Sequence, residues 1–432
     1  MFFKNVKRPW FLIFALVILV LGLVACGGGA ATTTEEPAAE EPAAQEAAPT
    51  QEEPMAEEPA AEQPVAAGLE SDAAQVKSEF FSQEQYDRSM RQMTMTPEGP
   101  ADQPWIQMLD NPEMVDTSQY AKEGPYTFCF SNAGVNNPWR VVGWTTMQAE
   151  ADLHPEIAEL IHVDAEGSDE KQIADIADLV ASGNCDVLIV SPNTTAALTP
   201  AIEQACEQLP VVVFDRGVFT DCPVSFVQPI GGYAFGEAGA RYIIDNCSED
   251  CNVLALRILP GVDVLEERWA AAKLAFEDAP GINVIGVEFG DGDNAKVKSI
   301  VTDYLDRFGR IDAVWMDAGA TAVAALEAFE DAGQPYPIIV GEDQQDFLVK
   351  WQENNLSGIA PTFPTFQWRT PIIAALHIMN GEEVPAVWRL PQPVITNENL
   401  DQYVQPNMPP LHYAMCGCEN MPDFPERWGG TQ

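Results

Sequence analysis

From residue 126 onward, short apolar runs alternate with stretches of helical period so regularly that few architectures remain open. One series of apolar runs falls at 126–131, 159–163, 186–191 and 211–215, and a second at 253–259, 284–289, 313–316 and 338–340. Between them lie helical segments such as 169–181, where Ile173, Ile176, Ala177 and Val180 share one face. Further helices are expected at 266–278, 295–308 and 321–332. Strand and helix in alternation mean a parallel sheet with crossover helices. Two such series predict an α/β protein of two Rossmann-like lobes with parallel sheets, joined by a hinge.

The N-terminus says where such a domain resides. Lys4, Lys7 and Arg8 precede an apolar run over 9–20, shorter than the roughly 20 residues a membrane span needs. This reads as a secretory signal peptide over 1–25. Leu23-Val24-Ala25-Cys26 resembles a bacterial lipobox, which implies lipidation at Cys26 and a domain anchored to the outer face of the cytoplasmic membrane. An uncleaved signal anchor is the other reading, and it too places the body outside the cytoplasm. Residues 26–70 are Ala, Glu, Pro and Gln with hardly a large apolar side chain, so a disordered acidic tether is expected. Residues 71–124 form an N-terminal extension with some helical pattern around Phe80, Phe81 and Met90.

A net charge of -44 repels phosphate backbones and anionic headgroups, which argues against a nucleic-acid partner and against surface adsorption to membranes. Beyond Cys26 the cysteines are Cys129, Cys185, Cys206, Cys222, Cys247, Cys251, Cys416 and Cys418, an even set in an exported chain. Two pairings are expected: Cys247 with Cys251 across a short loop, and Cys185 with Cys206 at one sheet edge. Cys416-Gly417-Cys418 reads as a tail that staples itself. Four scattered histidines and no paired cysteine knuckles leave no zinc signature, so no metal is expected. Gly290-Asp291-Gly292-Asp293-Asn294-Ala295 satisfies a glycine-rich dinucleotide pattern, but its aspartates would repel pyrophosphate. A strand-to-helix turn lining the cleft is the plainer reading, and no cofactor is expected. No nucleophile elbow, phosphate loop or His-Glu metal helix is present, so no catalytic residue is assigned; a secreted glycoside-acting enzyme is the remote alternative.

In sheets of this kind ligands bind beyond the carboxyl ends of the strands. Those ends carry Ser131 through Arg140, Asp215-Arg216, Asp317, and Glu342-Asp343. From about residue 126 to 396, the order of Phe130-Ser131-Asn132, Asn136-Asn137-Pro138-Trp139-Arg140, Lys171-Gln172-Ile173-Ala174-Asp175-Ile176, Ser191-Pro192-Asn193, Val211-Val212-Val213-Phe214-Asp215-Arg216 and Val340-Gly341-Glu342-Asp343 resembles the ribose-binding-like (type 1) periplasmic sugar-binding proteins of ABC importers. The resemblance implies a ligand site of Ser131, Asn137, Trp139, Arg140, Asp215, Arg216, Arg268, Asp317 and Asp343. Asn137 would bond sugar hydroxyls, Trp139 would stack on the apolar sugar face, and Asp215 with Arg216 would grip hydroxyls from opposite sides. Arg268 and Asp343 fall on a cleft arginine and a cleft aspartate.

Read from the residues alone, Asp215-Arg216 also fits a structural ion pair, and Trp139 fits core packing at a helix start. Arg140 stands where ribose binders carry a second aromatic ring, Gly292 near where they carry another, and Ala318 near where they carry an amide. A wider or more cationic pocket is therefore expected, suited to a larger sugar, a polyol or a sugar acid. The expected function is capture of a monosaccharide or related polyol or sugar acid and its delivery to the importer's permease subunits; a nucleoside, autoinducer or amino acid is the alternative. The lobes are expected to comprise 125–229 with about 362–385, and 230–361 with about 386–400, followed by a Cys-containing tail over 401–432.

Overall fold

The computed structural model describes residues 67–248 and 250–432. The expected signal peptide over 1–25, the lipidation site Cys26 and the tether up to residue 66 lie outside the described residues. After α1 (Gln83–Gln92) and β1 (Met114–Val115), the first lobe runs β2 (Tyr126–Asn132), α2 (Pro138–Asp152), β3 (Ile157–Asp164), α3 (Asp169–Ser182), β4 (Val187–Ser191), α4 (Thr195–Cys206), β5 (Val211–Phe214) and β6 (Ser225–Pro229). The second runs α5 (Gly232–Asn246), β7 (Cys251–Arg257), α6 (Asp263–Glu277), β8 (Ile282–Phe289), α7 (Asn294–Phe308), β9 (Ala313–Met316), α8 (Ala322–Asp331), β10 (Ile338–Val340), α9 (Gln345–Asn354) and β11 (Gly358–Pro361). The chain then returns through α10 (Thr370–Asn380), β12 (Val384–Pro385), β13 (Val387–Leu390) and β14 (Val394–Thr396).

Each lobe holds a six-stranded sheet, in the orders β13-β6-β5-β4-β2-β3 and β14-β11-β10-β9-β7-β8. All pairings are parallel except β11 with β14. The strands β4, β5, β7 and β9 are apolar almost throughout and lie buried, as expected of sheets covered on both faces. Strand β13 pairs with β6 in the first sheet, so the last crossing between lobes falls after Leu390, later than the boundary near 386 expected from sequence. That stretch has no periodicity of its own; the open edge of β6 decides its place.

Local chemistry sets the helix ends. Asn137 caps α2 by accepting from the Arg140 amide at 3.0 Å, and Pro138 stands in the first turn, where its missing N–H costs nothing. Ser168 caps α3, and Gly183, at φ 64°, ends it. Asp293 caps α7 by accepting from the Lys296 amide at 2.7 Å, so the glycine-rich segment at 290–295 is a strand-to-helix turn. At Gly236 a Cβ would lie 1.9 Å from the Arg268 carbonyl oxygen; its absence lets α5 press against α6 and fixes where Arg268 stands.

The N-terminal extension and the C-terminal tail both bind the lobes. In the N-terminal extension the carbonyl oxygens of Ala73 and Ala74 accept from Arg257 at 2.7 Å and from the Trp269 indole at 2.9 Å, on the second lobe. Farther along, the Gln107 carbonyl accepts from the Trp388 indole at 3.0 Å, and β1 pairs with β12 on the first lobe. The tail packs Tyr413, Cys416, Cys418 and Trp428 on Val142 and Ala149 of α2 while bonding α9 through Gln345 N to the His412 carbonyl at 2.8 Å. It therefore touches both lobes.

The disulfides are Cys129–Cys185, Cys206–Cys222, Cys247–Cys251 and Cys416–Cys418. The expected pairing of Cys185 with Cys206 is corrected. Cys129 in β2 stands beside β4, just downstream of Cys185, while Cys206 at the end of α4 meets Cys222 on the loop before β6. Among the described residues no helix is long and apolar enough to cross a membrane.

Candidate functional site

The carboxyl ends of the two sheets gather two polar clusters. In the first, Arg140 on α2 is 2 % exposed and donates to Asn132 Oδ1 at 2.9 Å, Ser191 Oγ at 3.1 Å and Asp215 Oδ2 at 2.7 Å. Burial brings its pKa down to about 10, against the opposing pull of Asp215. Asp215 ends β5 with φ 69°, a left-handed backbone that costs a non-glycine residue roughly 1–2 kcal/mol and is kept mostly where a side chain must be aimed. Its Oδ2 also accepts from Ser191 at 2.9 Å. Arg216 turns to the Asn193 carbonyl at 2.5 Å and stands 3.9 Å from Asp215.

In the second cluster Arg268, on α6, donates to the Asp317 carbonyl and lies 3.5 Å from Glu342. Its guanidinium sits 4.0 Å from the Phe235 ring centre and 4.8 Å from that of Phe363. Asp317, after β9, accepts from the Ile258 amide at 2.9 Å through Oδ1 only. Asp343, after β10, accepts from the Met415 amide at 2.7 Å through Oδ2 only. Three buried polar atoms here, Arg268 Nε, Asp317 Oδ2 and Asp343 Oδ1, have no hydrogen-bond partner among the described residues. Burial raises both aspartates to about 7, opposed by Arg257 and Arg268 at Asp317 and by the Met415 amide at Asp343. Groups left like this on a native protein call for an explanation, and a bound molecule is one.

Phe363, on the strand-to-helix crossing between lobes, joins the clusters. Its ring lies 5.8 Å from that of Trp139, and its carbonyl accepts from the Trp139 indole at 2.7 Å. Trp368 packs edge-on against Phe214 at 5.0 Å and Trp139 at 5.4 Å, and its buried indole N–H has no partner among the described residues. The lobes also touch directly: Gly217 N donates to Asp263 Oδ2 at 2.8 Å, and Asp263 N to Thr195 Oγ1 at 3.2 Å.

The structure thus brings together Trp139, Arg140, Asp215, Arg268, Asp317 and Asp343 at the facing ends of the two sheets. Ser131 is wholly buried, with its hydroxyl taken by Gln172 Nε2 at 3.3 Å. Asn137 is exposed and committed to capping α2. Gly292 is exposed in the turn before α7, while Ala318 is buried beside Asp317. Both terminal nitrogens of Arg140 bond groups of the first lobe, and its charge is paired with Asp215, so the cation expected at the pocket stands in an ion pair. Sequence reasoning passed over Asn132, Asp263, Phe363 and Trp368. Asn132 had a signal, as a polar residue closing an apolar strand; Phe363 and Trp368 lie in a crossing whose period is too short to read.

Residues 128–383 match the periplasmic binding protein domain family. The ribose import binding protein of Bacillus subtilis is 25% identical over 277 residues, spanning 64% of this chain and 89% of that protein. Among solved structures, an ABC transporter solute binding protein from Thermobispora bispora superposes with a TM-score of 0.62 at 23% identity, covering 67% of this chain and 90% of that one. A solute binding protein from Bacillus halodurans with bound myo-inositol gives 0.61 at 21% identity, covering 66% and 98%.

Proposed function

This chain belongs to the periplasmic binding protein domain family, and on that premise we propose that it captures a neutral monosaccharide or polyol between its lobes and delivers it to the membrane subunits of an ABC importer. The observation that carries the reading is the set of buried atoms at the strand ends that have no partner among the described residues: carboxylate oxygens of Asp317 and Asp343, with the donor Arg268 Nε. Vicinal hydroxyls both donate and accept, so one polyol can satisfy acceptors and donors together. A sugar acid would bring a third negative charge beside two carboxylates, with Arg140 already neutralised by Asp215. The ribose import protein of Bacillus subtilis and the myo-inositol complex support a polyhydroxylated ligand. Phe363 and Trp139, tilted against each other, are the aromatic rings suited to the C–H edges of such a ring.

The same reading places the domain outside the cytoplasm, tethered through a lipid on Cys26. Closure of the lobes buries the ligand, and the closed shape is what the permease engages. The test is a thermal-shift screen of the purified chain against pentoses, hexoses, inositols, sugar acids, nucleosides and amino acids. A ligand at about 100 times its Kd adds roughly 2.7 kcal/mol. A neutral sugar or inositol hit is expected; stabilisation by sugar acids, nucleosides or amino acids alone would overturn the ligand class.

A further inference from the structure

His412 lies in the C-terminal tail with 1 % of its surface exposed, and neither ring nitrogen has a hydrogen-bond partner among the described residues. A buried imidazole normally ties at least one nitrogen to a carbonyl, a carboxylate or a metal ion. Cys416 and Cys418, both wholly buried, stand close to His412. A ligating nitrogen of His412 and both sulfurs lie within 4.8 Å of one another. Metal–sulfur bonds of about 2.3 Å and metal–nitrogen bonds of about 2.0 Å bring ligand atoms to that order of separation.

Cys416 and Cys418 are disulfide-bonded here, across a sequence separation of only 2. A bridge that short constrains little of the unfolded chain, in contrast to Cys129–Cys185 with its separation of 56. Chain stabilisation is therefore a weak reason for the pair. We propose that the tail in its dithiol form binds one thiophilic d10 cation, Zn2+ or Cu+, through His412, Cys416 Sγ and Cys418 Sγ. A dithiol reductant supplies two electrons and two protons, is itself oxidised to a disulfide, and leaves two thiols on the tail. Metal binding then displaces both thiol protons to solvent, while the imidazole binds through its unprotonated nitrogen. On its other side His412 lines a cavity of about 450 Å³ together with Val142, Leu411 and Trp428.

Sequence spacing hid this site, since one histidine and a Cys-Gly-Cys pair match no metal motif; only the turn over 412–418 closes the gap. The full chain is to be reduced anaerobically with a phosphine, freed of reductant, and titrated with Zn2+ against a chromophoric chelator and with Cu+ against bicinchoninate. One ion per chain is expected for at least one of the two metals, and none while the disulfide is intact. The Cys416→Ser/Cys418→Ser variant, which keeps the other seven cysteines, should lose that ion. His412→Gln, close in size, should weaken binding at least about tenfold. X-ray absorption of the loaded chain reads the ligand set without any variant, and should report two sulfurs and one imidazole. No stoichiometric binding of either metal after reduction, binding unchanged in the double-serine variant, or a spectrum without imidazole would each overturn the proposal.

Discussion

The Met415 amide donates to Oδ2 of Asp343 at 2.7 Å, so a residue of the C-terminal tail holds one oxygen of a cleft carboxylate while its other oxygen stays unpaired. The tail grips the same stretch again through Ala414 N to the Asp343 carbonyl at 2.9 Å and Tyr413 OH to Glu342 at 3.4 Å. Its far end is fixed on the other lobe, where Arg427 pairs with Asp152 at 2.7 Å. A segment of irregular pattern thus orients a group of the candidate site and spans the lobes that form it.

Substitutions at the two clusters should separate stability from binding. Asp215→Ala strands the Arg140 guanidinium in a buried site, and breaking such a pair typically costs about 3–5 kcal/mol. Chemical denaturation should show that loss whatever happens to affinity. Asp317→Asn keeps an oxygen for the Ile258 amide and removes the charge, so it should leave the fold intact and weaken sugar binding about tenfold or more, read by calorimetry.

Proton release should accompany binding. Asp317 and Asp343 stand at about 7, raised by burial, whereas unfolded aspartates titrate near 3.9. Between those values the folded chain holds the extra protons, so this contribution to stability is present at the acid end and lost as pH rises through about 7. His412, drawn down to about 4, acts oppositely and destabilises as pH falls below its ordinary 6.5. Ligand hydroxyls donated to the two aspartates favour their charged forms, so affinity should fall as pH drops below about 7. Titration calorimetry in buffers of different ionisation enthalpy should show protons released near neutrality.

The disulfides should differ in weight. On a chain-entropy basis, removing Cys129–Cys185, separation 56, costs about 4 kcal/mol and removing Cys247–Cys251, separation 4, about 2 kcal/mol. Paired Cys→Ala variants compared by urea unfolding should rank in that order.

Trp428 anchors the tail on α2, with its indole donating to Thr146 Oγ1 at 3.0 Å. It is buried, and truncating such a side chain costs about 3–5 kcal/mol. Trp428→Ala should lower stability by that order and loosen residues 412–428, detected as faster amide exchange at Met415 and Ala414.

Legibility followed the range of the forces involved. The alternation of strands and helices is written in local period, so the two lobes and most elements could be read directly. The rule that strand ends face the cleft then located Asp215, Asp317 and Asp343. Asn137 and Ser131 were placed by motif and turned out to be committed to a helix cap and to Gln172. Motif position gives a residue's address, whereas its free hydrogen-bonding capacity depends on neighbours from other elements.

Alone, the sequence determined the architecture, the even cysteine set and the polar strand ends, because each rests on composition or on spacing within some fifteen residues. Tertiary structure decided that Cys185 meets Cys129, that Arg140 is neutralised by Asp215, and that the tail reaches Asp343 and closes His412 onto Cys416 and Cys418. Those outcomes depend on contacts between segments tens to hundreds of residues apart, whose pairing is set by the shared burial of surfaces that no local pattern encodes.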